Sequence, residues 1–438
     1  MSVRSIWVTD MKRVIIMLMI AALVLSLFSC GNDGGNEGSK TEETSNEVSE
    51  VTGDEMKEYE AFTYSANSMM QLRKIVPVSD NCIATLTGYF YIGDGGGGTF
   101  YWDPECEEPA DNAIIVKPND CEKGRFIRIC EPNVRNVRWF GATGGGTSDD
   151  TKAIQAAIDS LPANGGTVYF PGGDYLIKNT IKIGDGNADD VKSSKNGIKL
   201  VGEGGGFGVW GTSIPTAIIF RGVDKNVIEI NGLISDVSIE GFYLNGSEIA
   251  ETCLYMKAVQ ALTLKDVVCA QFRKYGYYLS GGNGEANACS DCNFKSCNAI
   301  CINDGTICLC LDGDDNTAPN RNIVFNDCRF DIHTTNGSIA TYIADSCDIT
   351  FLRCHFAGYS DGSDRLVLDA KVNNFPYGLS FHDCSTGDLK IIEKDSHSIG
   401  ACWFIGHGTY DNEPIIEHPM IWGITDSGVP FGRFGKDE

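Results

Sequence analysis

The stretch Phe140–Ile177, FGATGGGTSDDTKAIQAAIDSLPANGGTVYFPGGDYLI, decides the fold. Gly144, Gly145 and Gly146 lead into Ser148, Asp149 and Asp150, whose side chains can accept from free backbone N–H groups and place negative charge at a helix start. Ile154, Ala157, Ile158 and Leu161 then recur at i, i+3, i+4 and i+7, one apolar stripe on a short helix that ends before Pro162. Asn164-Gly165-Gly166 turns the chain into the β-rich run Thr167–Phe170, and Pro171-Gly172-Gly173-Asp174 turns it again into Tyr175–Ile177. Asp149 and Asp150 invite an acid–base reading, but a helix beginning directly behind them favours capping.

Downstream, short apolar runs broken by Gly, Asn and Asp recur: LTLKDVVCAQF from Leu262, ACSDCNF from Ala288, IVFNDCRF from Ile323, ITFLRCHF from Ile349 and LSFHDCST from Leu379. Aligning their Cys-x-Phe ends puts Cys292, Cys328, Cys354 and Cys384 at intervals of 36, 26 and 30 residues, a repeat of solenoid length. Each unit reads as a strand such as Ile-Val-Phe, a bend such as Asn-Asp and a second strand such as Cys-Arg-Phe. A third strand is expected at runs such as Ile339–Ile343. In such a solenoid like side chains stack in ladders about 4.8 Å apart, and this alignment predicts one of Phe294, Phe330 and Phe356 and another of the cysteines.

The string FGATGGGTSDDTKAIQAAID followed by GGTVYFPGGDYLI resembles the opening of the pectate-lyase superfamily, in particular its rhamnogalacturonase and epimerase-like members. The resemblance implies an all-β fold: a single-stranded right-handed parallel β-helix, with a short capping α-helix over its first coil and a small β-rich domain before it. The segment Thr87–Asp103, TGYFYIGDGGGGTFYWD, reads as a hairpin or close turn between aromatic strands and resembles the part that precedes the β-helix in phage tailspikes. Gly124–Ile127 and Val137–Phe140 look like strands joining the two parts.

At the N-terminus Lys12 and Arg13 precede an apolar run, Val14–Phe28, too short for a membrane span and suited to a secretory signal. Leu27-Phe28-Ser29-Cys30 resembles the bacterial lipobox, in which the cysteine is acylated. Residues 31–60, rich in acidic, Gly and Ser residues, read as a disordered tether. The expected division is a signal at 1–29, a tether at 30–60, a small β-rich domain at 61–137, a β-helix at 138–425 and a tail at 426–438. The protein would be exported and held at the cell envelope by a lipid, or secreted if Cys30 is not acylated.

A formal net charge of −24 excludes nucleic acid and anionic lipid as partners and repels a polyuronate unless local cations intervene. Outward carboxylates one or two coils apart bracket the spacings that glycosidases require, so the fold suits glycan cleavage. Gly313-Asp314-Asp315 and Gly406-His407-Gly408 echo polygalacturonase motifs but stand out of that family's register. Pectate lyases use calcium and an arginine base. By that resemblance Asp312, Asp314 and Asp315 are candidate calcium ligands, and Asp314, Asp315, Arg353, Asp364 and Arg365 are candidate catalytic residues, with Arg321 and Arg329 as further bases. The same acidic loop also reads as a solvated turn. Two functions follow: an anchored hydrolase or lyase acting on a uronate- or rhamnose-containing polysaccharide, or a non-catalytic glycan-binding adhesin. Monomer and trimer stand equally open. The 18 cysteines, Cys30 aside, are expected mostly as buried free thiols.

Overall fold

The computed structural model describes residues 61–432 apart from 187–194, 207–214, 224, 282–287, 314–318, 335, 359–363, 372–374, 386–388, 394–396, 408–419 and 426–429. Cys30, the signal and the tether therefore lie outside the described residues, as do Asp314 and Asp315.

Strands Phe62–Ala66, Cys82–Leu86, Gly98–Asp103, Arg125–Arg128 and Ile115–Val116 form, in that order, a separate five-stranded sheet around Leu72, Phe100, Trp102 and Phe126. A hairpin does close on the glycines, but its first arm is Cys82–Leu86, paired antiparallel with Gly98–Asp103, not the aromatic run after Thr87. That run is coiled around Asp94, whose carboxylate accepts the N–H groups of Tyr89, Phe90, Tyr91 and Gly96. Val137–Phe140 is a 3₁₀ turn instead of a strand, started by the Asn136 side chain and closed by Gly141 at φ 95°. Arg128 joins the two parts: its guanidinium lies 4.6 Å from the Phe100 ring and 4.8 Å from that of Trp139, and burial lowers it to about 10. Arg138 donates to the carbonyls of Asp94, Thr143 and Gly172.

The helix forms at Thr151–Asp159 and buries Ile154, Ala157 and Ile158 in the main core. Capping falls to Asp149, whose Oδ1 accepts from the Thr151 N–H and hydroxyl. Asp150 makes no cap bond; its carboxylate turns back to the N–H groups of Thr143 and Gly144, so it builds the glycine loop instead.

From Val134 on, the described residues include 26 strands of one sheet, which wind coil on coil in parallel up to a last, antiparallel strand. One coil shows the pattern: Ser290–Lys295 on a first sheet, Asn298–Cys301 on a second and Ile307–Asp312 on a third, before Asn320–Asn326 returns to the first sheet one coil on. The predicted third run is present as Ile339–Ala344. A single left-handed residue makes the bend between first and second sheets in coil after coil: Gly241, Asp266, Ser296, Asp327, Arg353, Asp383 and Gly406, all with φ between 49° and 78°. Aspartate and glycine are at home there, which explains the Asn-Asp bends in the sequence.

Register corrects the alignment by five residues. Phe294 stacks under Phe325, not Phe330, and the ladder continues through Phe351, Phe381 and Phe404 with ring centroids 4.5, 4.8, 4.9 and 4.5 Å apart. Phe330 does pair with Phe356, but its partner on the preceding coil is Ala299. The cysteine ladder accordingly starts at Cys297, not Cys292, and runs through Cys328, Cys354 and Cys384, as the bonds from Arg329, His355 and Ser385 N–H to the Cys297, Cys328 and Cys354 carbonyls fix. Every cysteine from Cys82 to Cys402 is a free thiol and most are buried. Burial drives those of Cys292, Cys310 and Cys328 well above their ordinary value, Cys289 to about 11 and Cys402 to about 12.

At the far end Ile421–Thr425 pairs parallel with Cys402–His407 on one edge and antiparallel with Pro430–Gly432 on the other. The sequence-based boundary at 425 falls between these paired strands.

Candidate functional site

The outer face of the third sheet concentrates the chemistry. Alternation turns Leu309 and Leu311 inward and Cys310 and Asp312 outward, and register stacks each outward position on its neighbours. One column runs Glu229, Tyr255, Tyr278, Cys310, Tyr342 and Val367. The next runs Lys257, Ser280, Asp312, Ala344 and Asp369. Asp312 and Asp369 thus stand two coils apart, about 10 Å along the solenoid, with only a methyl group between them.

Lys371 fills that interval. Its ammonium pairs with Asp312 Oδ2 at 2.6 Å and lies 5.5 Å from the Tyr342 ring centre. The Tyr342 hydroxyl donates to Asp369 Oδ2 at 2.6 Å. Burial foremost, then the bond to Asp369, raises the Tyr342 phenol, so it is a neutral donor at neutral pH. Burial would lower Lys371, but the bond and charge of Asp312 outweigh it and leave the ammonium above its ordinary value. Alongside, Tyr275 and Tyr278 lie 4.6 Å apart and Tyr255 and Tyr278 5.5 Å, while Lys274 sits 4.9 Å from the Tyr275 ring centre. The cluster therefore offers a carboxylate at each end, a cation and a protonated phenol between, and aromatic faces on the approach.

Of the described residues singled out from sequence, Asp312 alone belongs to this cluster. Asp364 opens its strand five positions before Asp369, at the opposite edge of the third sheet, and pairs with Lys390 at 2.7 Å. Arg365 donates to the Gly358 carbonyl. Arg353 stands at the bend between first and second sheets, where its guanidinium brackets both carboxylate oxygens of Asp327 at 2.8 and 3.0 Å and also reaches Asn326. The described candidates thus do not converge on one centre. Arg329 belongs to another group on the second sheet, with its Nε 2.5 Å from the buried Asp331 carboxylate and His355 Nδ1 3.6 Å from it. As for calcium, the one described member of the acidic loop already holds an ammonium, and among the described residues no group of three or more His, Cys, Asp or Glu side chains is placed to hold a metal ion.

Tyr342, Asp369 and Lys371 carry no local motif. The signal for them is vertical: once Cys310 is placed on Tyr342 and Asp312 on Ala344, Asp369 falls into the carboxylate column.

Comparison with known proteins agrees with this architecture. Residues 65–131 match the phage tail protein small four-stranded beta-sheet domain. Among curated relatives, a mannuronan C5-epimerase of Azotobacter vinelandii is 49% identical over 77 residues, 17% of this chain and 5% of that protein. A capsule KN3-specific depolymerase of Klebsiella phage KN3-1 is 25% identical over 306 residues, 58% of this chain and 36% of that protein. The chain thus spans well under two thirds of these relatives. Among solved structures, the tailspike protein gp49 of Acinetobacter baumannii bacteriophage Fri1, a capsular polysaccharide depolymerase, superposes with a TM-score of 0.52 at 16% identity, over 79% of this chain and 67% of that one, a likeness of fold. Residues 134–360, more than half of the chain, match the family described as rhamnogalacturonase A/epimerase, pectate lyase-like, and it is to this family of parallel β-helix proteins that the chain belongs.

Proposed function

We propose that the protein binds an acidic, uronate-containing polysaccharide along the third-sheet flank and cleaves it at the cluster of Asp312, Tyr342, Asp369 and Lys371. The observation that carries this reading is the column placing two carboxylates two coils apart with an ammonium and a neutral phenol between them. The polysaccharide-directed names of the epimerase and depolymerase relatives support the substrate class.

Each group has a role that its environment suits. The tyrosine faces take sugar rings, and Lys371 draws a uronate carboxylate into a surface that is otherwise acidic. As that carboxylate takes over the ammonium, Asp312 is released from its ion pair and becomes the base for the proton beside the sugar carboxylate. The electron pair of that C–H bond forms the new double bond, and the glycosidic C–O bond breaks. The departing oxygen takes its proton from Tyr342, which Asp369 orients. Hydrolysis is the second reading, favoured by the two-coil separation, which leaves room for a water between carboxylates as inverting glycosidases require.

The test incubates the protein with polymannuronate, polygalacturonate, rhamnogalacturonan and capsular polysaccharides, with calcium or with chelator. New ultraviolet absorbance establishes elimination, new reducing ends without it establish hydrolysis, and binding with neither leaves the adhesin. A requirement for calcium lost in Asp314→Asn/Asp315→Asn would assign that ion to the acidic loop. We extend the proposal to the N-terminus: Cys30 is acylated and the tether carries the β-helix away from the envelope, which the mass of the mature N-terminal peptide, compared with that of Cys30→Ser, checks.

A further inference from the structure

The small domain contains a cavity of about 280 Å³ that the cleavage reading does not use. Arg73 is one of the residues that line it. The Nε of this arginine is buried and has no hydrogen-bond partner among the described residues, and no carboxylate there forms an ion pair with its guanidinium. A buried N–H left unpaired has lost its water without replacement, at a larger cost when the group is charged, so a cation kept in this state is one that a ligand would complete.

The rest of the cavity has a consistent chemistry. Tyr89 and Phe90 form one wall with their rings edge to face, 4.8 Å between centroids. The four N–H bonds to Asp94 hold the backbone of that wall, so the wall is built before any ligand arrives. The Asn119 N–H bonds to the Arg73 carbonyl at 2.7 Å, and Asn112 and Asn119 line the cavity with side-chain amides that have no hydrogen-bond partner among the described residues. Met70, 66% exposed, forms the lip.

A planar cation fork meets a carboxylate through two parallel bonds, an aromatic face takes the C–H side of a sugar ring, and side-chain amides satisfy hydroxyls. From this combination we infer that the small domain carries a second glycan site, a binding pocket for one carboxylate-bearing sugar residue, with Arg73 on the carboxylate and Tyr89 and Phe90 against the ring. The pocket holds no acid–base pair and performs no chemistry. It tethers an acidic polysaccharide to the same molecule whose third sheet cleaves it, so that the effective concentration of the chain at the cleft rises.

The experiment titrates the protein with methyl β-glucuronide and methyl β-glucoside and follows ligand saturation-transfer signals and aromatic resonances. The glucuronide is expected to bind at least tenfold more tightly, to receive transfer from Tyr89 and Phe90, and to lose at least tenfold in affinity in Arg73→Gln. Should Arg73→Gln fail to fold, Arg73→Lys keeps the charge without the fork and is expected to lose most of the preference for the glucuronide. The Lys371→Met variant separates the two sites: it is expected to retain this binding in full. Equal binding of the two glycosides, undiminished binding in the Arg73 variants, or displacement of the glucuronide by equimolar inorganic phosphate, which marks a general anion site, each overturns the proposal.

Discussion

Two columns of side chains climb the same coils at the same spacing, one inside the first sheet and one outside the third. The inner column is Phe294, Phe325, Phe351, Phe381 and Phe404, and each ring is met by a like ring on the neighbouring coil, the middle three on both sides. The outer column is Ser280, Asp312, Ala344 and Asp369, and none of its members is completed within the column: Asp312 is met by Lys371 and Asp369 by Tyr342. An interior position asks only for volume and apolarity, so one residue type can serve every coil. An exterior position with a task asks for a partner from a neighbouring column, so its residues differ from coil to coil.

The sharpest way to break this contrast is to remove charge from the outer column while keeping shape. Asp312→Asn is expected to lower cleavage by about 10²–10⁴-fold, the usual worth of a positioned acid–base group, with an unchanged denaturation midpoint. A midpoint that falls with the activity would make the column a structural one. The converse change, Phe351→Ala, is expected to cost about 3–5 kcal/mol in denaturant unfolding, because the stacked ring leaves a cavity between two others. Leaving stability intact would show that the ladder does not hold the coils together.

Titration sharpens the same contrast along the thiols. Their folded-state values are raised, so the stabilisation they contribute is complete below the unfolded value near 9.0 and is lost as pH climbs toward about 11 for Cys289 and about 12 for Cys402. Unfolding midpoints are therefore expected to be level to about pH 8 and to drop steadily between pH 9 and 11. The smallest effects belong to the outer aromatic face and the bends. Tyr255→Ala is expected to weaken polysaccharide binding by a factor of a few without touching turnover at saturation. Arg353→Ala, removing an exposed bracket on Asp327, should leave cleavage and melting where they were, and loss of activity there would return Arg353 to the active site.

The inner column is what the sequence displays, since a repeated Phe beside a repeated bend is visible in a single chain. Even so, ACSDCNF offered two cysteines, and the one in the false register, Cys292, was followed by Phe at the spacing of the true repeat. The correct unit, FKSCNAI, has Ala299 where its neighbours have Phe330 and Phe356, and that substitution conceals the match. The outer column stayed hidden for a different reason. Tyr342, Asp369 and Lys371 become neighbours of Asp312 only when the loop lengths between strands are known, and those vary from coil to coil. A dense acidic string such as Asp312-Gly313-Asp314-Asp315 catches the eye, whereas the groups that complete Asp312 are 30 and 59 residues away.

The pairing at the far end of the solenoid bears on how the molecule behaves in a crowd. A parallel coil ends in a row of unmet donors and acceptors, an invitation for another molecule's coil to add itself and for fibres to grow. Here the strand Ile421–Thr425 meets Pro430–Gly432 running the other way, and Pro430 brings no N–H at all. A newcomer arriving with parallel polarity finds the seat taken by a reversed strand with a missing donor. On that edge the reversed strand turns the repeating, parallel rule of the coils into a pairing that the rule itself cannot continue.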